Sequence, residues 1–308
     1  MISKTFEIDE DNINKRLDIF LSEQFDQLSR GIVQKLIQSH AVTVSGIYVE
    51  KDYKLKLSDI VDIEINLEDQ TDDEPQDIFL NIICENKDFL ILDKQAGLTV
   101  HPGAGQKDNT LINGLLFHYP EQKKVPRTGL IHRLDKDTSG LLLIARSLEA
   151  HTKLTEMMQR RMIARRYFAL VHGTPISGGT IDEPIARHPS NRLIFTVKEG
   201  GRDSVTHYAI EKRFKNFSLL DISLETGRTH QIRVHLKYEG YPIAGDQSYC
   251  SIKKWKDSSE MEEQAVNGLR RQALHAHSLS FEWEGKEISF KSDLPIDIVT
   301  CINSLQKL

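Results

Sequence analysis

Apolar residues recur at helical spacing near the start of the chain. Leu17, Phe20, Leu21 and Phe25 share one face, and Ile32, Val33, Leu36 and Ile37 share another behind Ser29, a side chain suited to capping a helix. The period then drops to two. Ala41 to Val49 alternates around a turn at Ser45-Gly46, and Asp59 to Ile65 alternates without a break, so two helices followed by strands are predicted. From Glu68 to Asp77 the chain carries acids, a proline and no base, the composition of a solvated linker. The pattern therefore divides the chain into a small domain at 14–67, an acidic linker at 68–77 and a large domain at 78–308.

In the large domain the spacing predicts strands at Ile82 to Cys84, Phe89 to Leu92, Leu141 to Arg146, Tyr167 to His172, Leu193 to Val197, Thr206 to Glu211 and Ser218 to Glu225. Helices are predicted at Leu148 to Arg160, at Thr229 to Glu239 with Gly240 as terminator, and at Pro295 to Leu308. Strands and helices do not alternate with the rhythm of a doubly wound fold, which predicts an α+β domain on a mixed, largely antiparallel sheet. Residues 253 to 268 are polar and irregular and read as a solvent-facing insertion.

Composition adds little: 308 residues, 39% hydrophobic and 28% charged, are those of an ordinary soluble protein of about two domains. Met1 to Glu7 lacks the layout of a signal peptide and no apolar run reaches the ~20 residues of a membrane span, so a cytoplasmic protein is expected. Cys84, Cys250 and Cys301 match no zinc or disulfide spacing. Neither His230 with His235 nor His275 with His277 has the acids or cysteines to complete a site, so no metal is expected. Gly103-Ala104-Gly105 lacks the rest of a nucleotide-binding fingerprint.

The net charge of −5 is unpromising for a nucleic-acid binder, but its distribution matters more. The acidic linker offsets basic ground elsewhere. Arg146 to Arg166 holds Arg146, Lys153, Arg160, Arg161, Arg165 and Arg166 against Glu149 and Glu156, a strip suited to an anionic substrate. Just before it, His132-Arg133-Leu134-Asp135-Lys136-Asp137-Thr138-Ser139-Gly140 runs into the apolar stretch Leu141 to Ile144. A loop leaning on a buried strand can hold a carboxylate such as Asp135 in one rotamer. The same residues also make good turn chemistry, and Asp137 suits a turn-capping role.

The segment His132 to Leu142 resembles the catalytic motif of the RluA/RluD-type pseudouridine synthases. Matching segments follow in the family's order: His101-Pro102-Gly103, Arg165 to Val171, Asp182 to Pro189, Val205 to Tyr208, Glu225 to His235 and Arg271 to Ala276. The resemblance implies that Asp135 is the catalytic acid, that Tyr167 stacks on the target uracil, that Arg233 is the cation beside Asp135, and that Arg133 fills the gap left by an extruded nucleotide. Helical spacing does not choose between Arg233 and Arg228, since the two point in different directions. Residues 14–67 resemble a small αL-type RNA-binding domain shared with a small-subunit ribosomal protein. Arg30, Lys35 and Lys54 there, and Arg161, Arg165 and Arg228 in the large domain, are the candidate RNA contacts.

Within the family the chain is most similar to the RluD branch, which implies a ribosomal RNA substrate, helix 69 of the large subunit, free or in an assembling particle. Other ribosomal or transfer RNA sites are the alternative. The local departure is Gly245-Asp246-Gln247-Ser248-Tyr249-Cys250, where the branch reads Gly-Asp-Pro-x-Tyr-Gly. Turning a detached uracil and rejoining it through C5 oxidises nothing, so the reaction the resemblance implies needs no cofactor; a monomer is expected. Two other classes remain in view: a non-catalytic RNA-binding assembly factor, and a uracil-releasing hydrolase, for which no second acid of comparable context is found.

Overall fold

The computed structural model describes residues 2–25, 30–65, 73–103, 106–191, 193–250 and 258–308. The expected cap Ser29 and residues 68–72 of the linker lie outside them.

The N-terminal unit contains β1 (Ile2–Glu7), α1 (Leu17–Gln24), α2 (Arg30–Gln38), β2 (Val42–Val44) and β3 (Ile60–Ile65). Its antiparallel sheet runs in the order β1-β3-β2. Strand β1 precedes residue 14 and pairs residue for residue with β3, so this sheet reaches further toward the N-terminus than the 14–67 span read from the sequence. Leu17, Phe20, Leu21, Val33 and Ile37 are buried with Val61 and Ile63 in a core of their own, as the helical and period-two spacings require. Ser45 (φ 49°) and Gly46 (φ 78°) close the turn after β2 in the left-handed region that a two-residue hairpin needs. Asp18 is fully buried and accepts bonds from Arg16 (3.0 Å), Arg30 (3.0 Å) and Gln34 (2.7 Å).

The large domain contains β4 (Ile82–Glu85), β5 (Phe89–Lys94), α3 (Leu111–His118), β6 (Ser139–Ala145), α4 (Leu148–Gln159), β7 (Ala164–His172), β8 (Gly179–Asp182), β9 (Ile185–Arg187), β10 (Phe195–Val197), β11 (Val205–Arg213), β12 (Phe217–Leu224), α5 (Gln231–Tyr238), α6 (Glu260–Asn267), β13 (Leu274–Trp283), β14 (Lys286–Lys291) and α7 (Ile296–Gln306). The main sheet runs β4-β5-β6-β13-β7-β12-β11-β8, with β14 on the end of β13; only β6 and β13 pair in parallel. It is the mixed, largely antiparallel sheet of an α+β domain. Strands β9 and β10 form a separate pair.

Strands β5 and β6 are apolar on both sides because both sides are covered. Leu90, Leu92, Leu142 and Ile144 belong to one core with residues of α3 and α7, while Phe89, Ile91, Leu141 and Leu143 belong to another with Ala150, Leu154 and Met157 of α4. No helix among the described residues is long and apolar enough to cross a membrane.

Several elements correct the sequence reading. The region 253–268 is not an irregular insertion throughout: α6 occupies Glu260–Asn267, capped by a Ser259/Glu262 box and anchored through buried Val266, while 253–257 lie outside the described residues. The helix expected from Thr229 begins at Gln231, because His230 is left-handed (φ 58°). The strand expected from Leu193 begins at Phe195.

Gly140 ties the site to the sheet. Its φ is +110°, and a Cβ there would lie 2.3 Å from the Ala276 carbonyl oxygen where β6 meets β13. Gly140→Ala should therefore destabilise the protein by about 2 kcal/mol or more in urea unfolding followed by tryptophan fluorescence. Unchanged stability would mean that this crossing relaxes freely. Asp18 generates a second expectation. Burial alone would raise its pKa, but bonds from Arg16, Gln34 and Arg30 hold it at about 2. The folded value is depressed, so the stabilisation is complete above the unfolded value of about 3.9 and disappears as pH falls toward about 2. Hydrogen-exchange protection of the N-terminal unit should fall across that window, and Asp18→Asn should remove the dependence; an identical profile in the variant would discount this carboxylate.

Candidate active site

Leu130 to Asp135 reaches β6 along its edge. Ile131, His132 and Leu134 are buried, and the Leu143 amide donates to His132 Nε2 (3.2 Å). Burial, then the positive charges of Arg165 and Arg127, push the His132 pKa down to about 3, so the ring is neutral and able to accept that bond. Arg133 and Asp135 flank buried Leu134 and both line the cleft. The turn that follows is fastened by side chains from elsewhere. Buried Lys94 Nζ donates to the carbonyls of Gln95 (2.9 Å), Leu98 (3.0 Å) and Lys136 (2.9 Å). Burial lowers its pKa to about 7, with Asp135 and Asp137 acting against that trend. Arg271 Nη1 donates to the Asp137 carbonyl (3.0 Å), and Gln272 Nε2 to Thr138 Oγ1 (3.2 Å). Asp135 thus sits on a loop held by the sheet and by these donors.

Of the two arginines left open by helical spacing, Arg233 meets Asp135. Its Nη1 lies 3.0 Å from Asp135 Oδ2, while Nε and Nη2 form a bidentate pair with Asp246 at 2.7 and 2.9 Å. Arg233 is only 6% exposed and Asp246 1%. Burial opposes the charge on Arg233, but Asp246 and then Asp135 outweigh it and raise its pKa. Asp246 Oδ1 also accepts from the amides of Ser248 (2.9 Å) and Tyr249 (3.0 Å), so the turn survives the departures at Gln247 and Cys250.

His230 and Tyr249 complete the surroundings of Asp135. The Tyr249 hydroxyl accepts from the Phe195 amide (2.8 Å) and lies 2.8 Å from His230 Nδ1. Burial pushes Tyr249 up to about 12, so it keeps its proton. His230 Nε2 lies 3.9 Å from Asp135 Oδ1. Sequence reading singled out neither Asp246 nor Tyr249 as a site residue, and considered His230 only as a metal ligand.

Asp135, Arg233 and His230 open onto a cleft of about 490 Å³ lined also by Tyr167, Arg165, Arg133 and Arg161. Tyr167 and Arg165, two residues apart on β7, are buried on the same face of the strand. Burial raises the Tyr167 pKa, as does Asp135, against the effect of Arg165. Arg161 pairs with Glu225, which also binds His207 (2.8 Å). Arg228 precedes α5 and donates to the Asp203 carbonyl (3.2 Å). Arg30 and exposed Lys54 lie in the N-terminal unit and do not line the cleft. The Lys35 side chain is outside the described set.

The basic strip is less free than its composition suggests. Arg146 pairs with Glu85 and Glu121, Arg160 with Glu156, and Arg166 with Asp221, while Lys153 lies over Trp283. His235 is bonded to Thr206 and the Glu183 carbonyl, and His275 to Ser139 and the Ser292 carbonyl. Among the described residues no cluster of three His, Cys, Asp or Glu side chains is arranged for a metal ion.

Residues 88–238, which include every residue lining the cleft except Leu274, match the model of the RNA pseudouridylate synthase family. The chain is 42% identical to the ribosomal large subunit pseudouridine synthase D of Xanthomonas campestris, over 95% of its own length and 89% of the relative's. It is equally similar, at 42%, to the enzyme of that name from Haemophilus ducreyi, over 98% and 94% of the two chains. Two human proteins share the fold: RNA pseudouridylate synthase domain containing 4 (TM-score 0.58, 23% identity, 73% of this chain and 93% of that one) and domain containing 1 (TM-score 0.55, 24% identity, 70% and 83%). On matched motif, near full-length identity and shared architecture, this chain belongs to the RNA pseudouridylate synthase family.

Proposed function

We propose that this enzyme isomerises specific uridines of large-subunit ribosomal RNA to pseudouridine, with Asp135 as the reacting carboxylate. The observation that carries the reading is Asp135 held 3.0 Å from buried Arg233 in a cleft that also contains Tyr167. The C1′–N1 bond breaks, the uracil turns, C5 joins C1′, N1 gains a proton and C5 loses one. No electron is transferred and no group is consumed, so the chemistry requires neither metal nor cofactor.

What the reaction needs is a fixed carboxylate and a surface that retains the free base. The salt bridge and the pinned loop supply the first. The Tyr167 ring, aligned with Arg165 on one face of β7, offers an aromatic surface on which a uracil can turn. Arg133 is exposed and reaches the cleft next to Asp135, placed to occupy the gap that opens when the nucleotide leaves its helix.

The large-subunit target rests on the names of the full-length relatives. Helix 69, in free RNA or an assembling subunit, rests on resemblance to the RluD branch. The N-terminal unit, with Arg30 held by Asp18 and Lys54 exposed, supports a second hold on RNA backbone.

Asp135→Asn should abolish tritium release from 5-labelled uridine in ribosomal RNA while RNA affinity stays within about threefold, a cut that falls on the transition state alone. Full activity would remove Asp135 from the reaction. Mapping pseudouridines in cells with and without the enzyme separates helix 69 from other sites. Asp246→Asn takes away the partner that holds Arg233, and loss of such a buried charge partner should slow the single-turnover rate by about 100-fold with little change in RNA affinity. Weakened RNA binding at an unchanged rate would assign Asp246 to the RNA surface instead.

A further inference from the structure

Arg165 is the unusual member of the basic strip. Arg146, Arg160, Arg161 and Arg166 each pair with a carboxylate and Lys153 lies over an indole, whereas Arg165 has no ion pair among the described residues. It is 7% exposed, and its Nε has no hydrogen-bond partner among the described residues. A guanidinium removed from water without a counter-ion is costly, so its retention points to an anion that arrives from outside.

The cleft has no spare acid to play that part. Asp135 is engaged by Arg233, and Glu225 by Arg161 and His207. The neighbours of Arg165 are positive or neutral. Arg127 and Arg133 line the same cleft, also without a carboxylate partner among the described residues, and His132, which lines it too, is neutral. The backbone is shaped to present Arg127: residues 127, 128 and 129 have successive positive φ of 53°, 52° and 80°, and a buried threonine in that region is strained. Room for Arg165 comes from Gly227, where a Cβ would lie 2.9 Å from Nη1.

We infer that Arg165, with Arg127 beside it, forms a subsite for a backbone phosphate flanking the target uridine. The inference rests on the enzyme acting on an RNA strand, and adds where that strand is held. Arg165 and Tyr167 project from one face of β7 about 7 Å apart, the scale on which a nucleotide separates its base from its phosphate. The base and the phosphate of a single extruded nucleotide would thus be gripped by alternate residues of one strand. Arginine suits this role because its planar fork meets two phosphate oxygens at once.

The test is a double-mutant cycle between side chain and phosphate. The substrate is a ribosomal stem-loop that the enzyme isomerises, prepared with the phosphate on the 5′ or the 3′ side of the target uridine replaced by a neutral methylphosphonate. For the wild type, one of the two replacements should weaken binding by roughly 10- to 150-fold, the range of a charge-assisted hydrogen bond. With Arg165→Gln the same replacement should cost less than about threefold. Gly227→Ala, which keeps the charge but crowds the guanidinium, should give the intermediate result and covers the case in which Arg165→Gln fails to fold. Equal losses in wild type and variants at both linkages overturn the proposal. If instead no ribosomal stem-loop is isomerised by the wild type, the substrate reading has failed, and the cycle is run on whichever RNA is isomerised.

Discussion

The guanidinium of Arg233 is the constraint on which the site depends. It is held in two places at once, by Asp246 through Nε and Nη2 and by Asp135 through Nη1. A buried arginine with a single carboxylate balances its charge but uses only part of its donor set. Here the inner pair with Asp246 is satisfied completely within the protein, which fixes the plane of the guanidinium before substrate is present. Asp135 then meets a donor that cannot swing away. The outer carboxylate, unlike the inner one, keeps an edge open to the cleft, with 16% of its side chain exposed against none for Asp246. One acid is spent on geometry so that the other is available for chemistry.

That arrangement explains which parts of the molecule the sequence made legible. Strands β5 and β6 were readable because both faces are covered and the apolar runs are continuous. Strand β13, which sits at the centre of the sheet, was missed because it reads Leu274-His275-Ala276-His277-Ser278. Its polar side chains are satisfied by partners far away in sequence, such as His275 with Ser139 at 3.0 Å. Helix α3 was hidden by Gly114, which no helical propensity favours, but which is needed because a Cβ there would lie 3.1 Å from Ile78. In contrast, α6 carried a legible signal in Ser259 and Glu262, a capping box overlooked amid polar neighbours.

The same contrast holds for the site. Asp135, Tyr167 and Arg233 were named through family resemblance, and the fold brings all of them to one cleft. Asp246 was noticed only as part of a motif that departs from the family pattern, because nothing in a one-dimensional sequence links it to an arginine on another element. The choice between Arg228 and Arg233 was undecidable from helical spacing because the helix begins after His230, leaving Arg228 outside it.

Net charge proved a poor guide for a related reason. The chain carries −5 overall, yet the cleft is positive, because most acids close to the basic strip are consumed in pairs on the outside of the domain. What remains is a small number of arginines with very different freedom. Arg165 is immobilised by burial, whereas Arg133 is exposed and free to move. This division fits the two jobs that nucleotide extrusion creates. A phosphate that must be held in one position relative to Asp135 calls for a side chain whose entropy is lost on folding rather than on binding. A gap that opens only when the base leaves the stack calls for one that stays mobile until that moment, so that entering the helix offsets part of the few kcal/mol lost in unstacking.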